Sequence, residues 1–136
     1  MMGKVSLGFI ATLFFMLVFG FASYEFAGVL QYSVPVFPKE SLKLLSILLL
    51  FPLASELILR GLIWGISIKL LRNEWVAFIG TAILFVALQG FREVSYPVIS
   101  AFGIALLCSG IRRHLGLSAT IFGHLAFVLG FWFGSL

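Results

Sequence analysis

The sequence predicts an all-α fold, a polytopic membrane bundle of about five transmembrane helices. Three observations predict it. Hydrophobic residues make up 62% of the 136 residues and charged residues 10%, whereas soluble domains carry about 45–50% and about 25%, so the chain has too little charge to cover a water-facing surface. Its mean hydropathy is +1.18. The apolar residues are also gathered into long segments that cross or nearly cross a bilayer as helices of about 20 residues, and helices satisfy their own backbone hydrogen bonds in lipid. The chain is expected to form a single transmembrane domain over residues 1–136, with no soluble domain beside it.

The first segment runs from about Val5 to Val34, is interrupted by Glu25 and is closed by Pro35 and Pro38. Lys4 before an apolar run also fits a signal peptide. The run is longer than a usual signal core and lacks an A-x-A site, so a retained helix is expected. The second segment spans Ser41 to Leu71 and carries Pro52, Glu56 and Arg60 in its middle. The third covers Trp75 to Phe91, the fourth Ser95 to Ile111, and the fifth Leu117 to the C-terminus. Two GxxxG spacings, Gly61 with Gly65 and Gly130 with Gly134, mark faces where helix backbones can approach closely. Chance in a glycine-rich membrane sequence explains them equally well.

Charges between segments set the expected orientation. One side receives Lys4, Lys69, Arg72, Arg112 and Arg113 against Glu74; the other receives Lys39, Lys43 and Arg92 against Glu40 and Glu93. The positive-inside rule makes the first side cytoplasmic, with the N-terminus inside and the C-terminus outside. The nine basic residues are scattered and form no basic patch, so nucleic acid is not an expected partner, while anionic lipid is. Cys108 is the one cysteine, which excludes an intramolecular disulfide, and no CxxC or zinc-ligand spacing is present.

Glu25, Glu56 and Arg60 are the ionisable side chains left within spans. Glu56 and Arg60, four apart on a helix, share a face with the acid N-terminal to the base. A lone charge at membrane depth costs several kcal/mol, so the pair is expected to point into the bundle. Pro52 cannot donate its backbone hydrogen bond and crowds the carbonyl of Leu48, which opens or kinks the helix just before the pair. Gln89 on the third helix and His124 on the fifth complete an expected buried cluster of Glu56, Arg60, Gln89 and His124. A lone His in an apolar helix is more often structural than a ligand, although His124 could also be an axial ligand to a haem or pigment.

The order of these motifs resembles the CPBP family of CAAX-prenyl proteases and bacteriocin-processing, or Abi, membrane proteins. Ser55 to Gly61, Phe85 to Gln89 and the stretch from Gly110 to His124 follow that family's EExxxR, FxxxH and HxxxN or HxxxB motifs, over about Leu48 to Val128. The resemblance implies a CAAX-protease-like four-helix core over 41–136, preceded by an extra helix and loop over 1–40. It also implies roles. Ser55 stands where the family has the first glutamate, Glu56 and Arg60 match the second glutamate and the arginine, Gln89 replaces a histidine, His124 is retained, and Val128 stands at the asparagine position.

In active members the first glutamate and the histidines are thought to activate water, with the asparagine holding the oxyanion. A general base needs a pKa near neutral pH, which serine lacks without its own base and glutamine lacks altogether. Valine offers nothing to an oxyanion, and losing one such donor costs about 2.7–4 kcal/mol. Glu56 and His124 alone fall short of the three protein ligands of a catalytic zinc, so no metal and no cofactor are expected. The sequence therefore predicts a pseudoprotease without catalytic residues, a scaffold or accessory subunit for other integral membrane proteins in a prokaryotic inner or plasma membrane. Two alternatives stand beside it. One is an intramembrane endopeptidase with unconventional chemistry, in which Ser55 is the nucleophile, His124 the base and Gln89 the oxyanion donor; the other is a pigment- or haem-binding subunit using His124.

Overall fold

The structure, a computed structural model, describes residues 2–29, 37–88 and 98–136. Among the described residues it holds helices and no strand: α1 (Met2–Val29), α2 (Ser41–Leu71), α3 (Glu74–Ala87), α4 (Val98–Leu115) and α5 (Leu117–Ser135). The all-α membrane bundle expected from composition is the fold observed. Leu7–Val29 of α1, all of α2 and α5 are long and apolar enough to cross a membrane, and α3 is a shorter apolar helix of 14 residues. Large apolar side chains cover the exterior, with Phe14 at 68% and Leu42 at 82% exposure. A soluble monomer does not carry such a surface, and hydrocarbon is the solvent that suits it. The protein is an integral membrane protein.

The helix ends follow local chemistry. Arg72 closes α2 with φ 50°, and Asn73 then opens α3 by accepting a hydrogen bond from the Trp75 amide at 3.0 Å. Gly116 joins α4 to α5 at φ 95° and ψ 179°, a conformation open to glycine alone at little strain. The fourth segment extends beyond the expected end at Ile111 as far as Leu115, so Arg112, Arg113 and His114 form the last turn of α4. Cations suit that end, where main-chain carbonyls are unpaired.

Within α2 the disturbance predicted at Pro52 takes the form of a widened, π-helical turn over Ser46–Leu50. The Phe51 amide reaches back five residues to the Ser46 carbonyl, which lets the chain pass the proline without a break. A second widened stretch covers Leu57–Ile63. The sequence carried no proline to announce this one.

Helix α1 packs chiefly along α5, and the two run parallel. Phe9 meets Phe122 at 5.8 Å between ring centroids, and fifteen residues further on Tyr24 meets Phe131 at 5.3 Å. Met16, Ser23 and Ala27 are buried on the contact face of α1, at spacings that keep them on one side of the helix with Gly20. A Cβ on Gly20 would overlap the carbonyl oxygen of Phe127, and one on Gly130 would overlap that of Leu17. The backbones therefore touch, the mode of association that small residues permit where lipid supplies no hydrophobic drive. One turn below, a Cβ on Gly134 would lie 2.8 Å from that of Tyr24. The other GxxxG pair behaves differently: a Cβ on Gly61 would rest 3.4 Å from Leu117, and one on Gly65 would meet nothing within 4 Å.

The interior is shared by α1, α2, α3, α4 and α5 through Met16, Leu48, Leu59, Phe85, Ile104, Cys108, Phe127, Val128 and Phe131. With helices alternating in direction, the N-termini of α1, α3 and α5 lie at the same end as the C-termini of α2 and α4. Lys69, Arg72, Arg112 and Arg113 thus gather at one end, with Arg113 Nε 3.2 Å from Glu74 and the Arg113 guanidinium 4.5 Å from the Trp75 ring centre.

Candidate functional site

Charge in a low-dielectric interior must be paired, and the bundle pairs it across three helices. Glu56 and Arg60 on α2 and His124 on α5 are each fully buried. Arg60 Nη1 lies 3.1 Å from Glu56 Oε1, the pair that their spacing on α2 predicts. His124 Nδ1 lies 2.7 Å from the same oxygen. Beside the guanidinium the carboxylate is an acceptor, so the imidazole places its proton on Nδ1 and donates it.

The second Nη of Arg60 is bonded to α4. Nη2 donates to the Ala105 carbonyl at 2.7 Å and reaches the Ser109 hydroxyl at 3.5 Å. Ser109 in turn donates to the Phe78 carbonyl of α3 at 3.0 Å and lies 3.3 Å from Thr81 Oγ1. The Phe85 ring closes one side, 5.4 Å from the guanidinium carbon and 5.4 Å edge-on from the imidazole.

The second widened stretch of α2 acquires a reason here. The Trp64 amide bonds to Leu59 and Gly61 instead of Arg60, and Arg112 Nε of α4 donates to the Arg60 carbonyl at 2.9 Å. The irregular turn opens a main-chain acceptor to a second arginine, so both ends of Arg60 are tied to α4. Ala105, Ser109 and Arg112 stand four and three residues apart, one face of α4. Ser109 and Arg112 are polar residues of an otherwise apolar helix and so legible in the sequence, whereas Ala105 contributes only its carbonyl and leaves no such signal.

The other positions singled out from sequence are placed as follows. Ser55 is half-buried, and its hydroxyl donates to the Pro52 carbonyl of its own helix at 3.1 Å. Val128 is buried in the apolar core one turn from His124. Gln89 lies outside the described residues. Cys108, which sequence reasoning set aside, packs against the polar cluster. Its sulfur, one carboxylate oxygen of Glu56 and one ring nitrogen of His124 all lie within 4.8 Å of one another, every residue buried. Cys108 thus stands as a third donor beside the two on motif positions.

A family model described as type II CAAX prenyl endopeptidase, Rce1-like, matches residues 37–130, which takes in α2, α3, α4 and most of α5. The chain belongs to that family. The Rce1-like match leaves α1 outside it, although α1 supplies Met16 to the core and seats its backbone on α5. No curated protein and no solved structure gave a match. Among the residues resembling Rce1-like motifs, Arg60 and His124 both bond to Glu56, and the Ser55 hydroxyl bonds to its own helix.

Proposed function

We propose that the chain is a non-catalytic member of the Rce1-like family, an integral membrane scaffold or accessory subunit that binds other integral membrane proteins and lipid through its apolar exterior. One observation carries the reading. The groups kept from the family pattern are consumed in holding helices together: a single carboxylate oxygen serves both Arg60 and His124, while Arg60 is anchored on α4. Ser55, at the position of the family's first glutamate, spends its hydroxyl on its own backbone, and Val128 is apolar. A serine hydroxyl has no pKa near neutrality with which to act as a general base, and valine has no donor for an oxyanion.

The broad apolar surface favours partners within the membrane, and the basic end formed by Lys69, Arg72, Arg112 and Arg113 suits a cytoplasmic, anionic leaflet. On that orientation α1 begins inside and α5 ends outside, in a prokaryotic inner or plasma membrane. The test is hydrolysis of a prenylated peptide by the full chain reconstituted in liposomes. Wild type, His124→Ala and Glu56→Gln are expected to share the rate of empty liposomes. A wild-type rate above that background, lost in His124→Ala, contradicts the proposal and restores the endopeptidase reading. A stable free monomer in mild detergent, with no stoichiometric membrane partner, speaks against the subunit role.

A further inference from the structure

We propose that Glu56, Cys108 and His124 form a binding site for a zinc-class divalent cation inside the bundle. A carboxylate oxygen, a sulfur and an imidazole nitrogen come from α2, α4 and α5, all within 4.8 Å of one another. The three residues are fully buried. Such a donor set suits zinc, which takes oxygen, nitrogen and sulfur ligands in a tetrahedron. Its bond lengths place neighbouring donors about 3.4–3.6 Å apart. The three donors lie within 4.8 Å of one another, close enough for side-chain rotations to bring them onto one ion.

A second observation points the same way. Glu56 Oε2 is buried without a hydrogen-bond partner among the described residues, although the other oxygen of the same carboxylate has two. A buried carboxylate oxygen left unsatisfied costs stability, and a cation removes that cost.

The balance of protons and charge constrains how the site is filled. On binding, the Cys108 thiol releases one proton and becomes a thiolate; the imidazole stays neutral with its proton on the ring nitrogen that does not bind. The ion's two positive charges are then offset by Glu56 and Cys108, and Arg60 leaves one in excess. Hydroxide or another monoanion in the fourth position brings the sum to zero, which a low-dielectric interior demands. The site thus takes a divalent ion together with an anion. No electron is transferred.

The proposal goes beyond the non-catalytic reading, and its readout involves no substrate. The full chain, purified in mild detergent, freed of tags and stripped with a chelator, is titrated with Co²⁺ and followed by its absorption spectrum. One equivalent is expected to produce a thiolate-to-cobalt charge-transfer band, which Zn²⁺ then abolishes by displacement. Because Cys108 is the only cysteine in the sequence, such a band has one source. Cys108→Ser, nearly isosteric, is expected to lose the band and to bind Co²⁺ at least about tenfold more weakly, on the scale by which even supporting residues affect metal affinity. X-ray absorption at the zinc edge of the wild type reads the same question without a variant, and one sulfur among nitrogen and oxygen neighbours is expected. No band at one equivalent, a band that persists in Cys108→Ser, or a zinc shell without sulfur overturns the proposal.

Discussion

Replacing Arg60 by Met is expected to lower the stability of the bundle by about 3–5 kcal/mol, because it strands the carboxylate of Glu56 in the interior. Both side chains are fully buried, 3.1 Å apart, and the guanidinium also satisfies the Ala105 carbonyl of α4. The loss is therefore a double one. A buried charge loses its partner cation, and the bond that ties α2 to the Ala105 carbonyl of α4 is broken. Removing both charges together has a different consequence. In Glu56→Leu/Arg60→Met no carboxylate remains to be desolvated, and apolar replacement of a buried pair is often neutral or better. The double variant is expected to recover much of the stability lost in Arg60→Met, short of the contact that His124 makes with Glu56. Unfolding in mixed micelles of increasing denaturing detergent compares the three proteins. A single variant as stable as wild type would show that the pair is solvated and outside the bundle interior.

Placing a methyl group on Gly130 is expected to separate α1 from α5. The new Cβ would overlap the Leu17 carbonyl oxygen, and a main-chain atom cannot swing aside as a side chain does. Overpacking a core costs about 1–3 kcal/mol where side chains can yield, and this site offers no such relief. Gly20→Ala, which meets the Phe127 carbonyl, should act in the same direction, and the two together should release α1 while the other helices stay packed. Gly65→Ala is the control. Its Cβ meets nothing within 4 Å, so only the helix preference for alanine remains, a gain of up to about 1 kcal/mol. Disulfide formation between cysteines placed at Phe9 and Phe122, in a Cys108→Ser background, reports whether α1 stays seated.

How much of this was legible in the sequence depends on the kind of signal. Hydropathy and charge spacing place α2 at its observed bounds, since Ser41 and Leu71 bound one long, mainly apolar segment. Glu56 and Arg60 were readable as a pair because a four-residue spacing fixes their geometry within one helix. His124 was readable as their companion because it is a polar side chain in an apolar helix that has to face the interior, although no local rule brings α5 against α2. The end of α4 was misjudged by four residues because paired arginines look like a loop, whereas in the fold they cap a helix and reach Trp64, Trp75 and the Arg60 carbonyl.

Other features left no usable trace. Gly20 has no glycine four residues away, so the GxxxG search missed the residue that sits on the Phe127 carbonyl. Gly65 satisfies the spacing yet faces open space. Spacing along one helix cannot say which side meets a neighbour. Cys108 is the sharper case: metal-ligand reasoning looks for donors close in sequence, and this one reaches Glu56 and His124 only after three helices have packed. Where a site is assembled across a bundle, sequence gives the donors and the fold gives their meeting.

The central claim is that the polar network of Glu56, Arg60 and His124 braces the bundle. A double-mutant cycle in stability between Glu56 and His124 tests it most directly, with Glu56→Gln, His124→Ala and the double variant. Residues in contact within one network couple by about 0.5–3 kcal/mol, and residues held for chemistry are commonly a burden on stability, so that their replacement raises it. Here each single variant is expected to be less stable than wild type, with the double variant losing less than the sum. A His124→Ala protein more stable than wild type, or a coupling indistinguishable from zero, would contradict the claim.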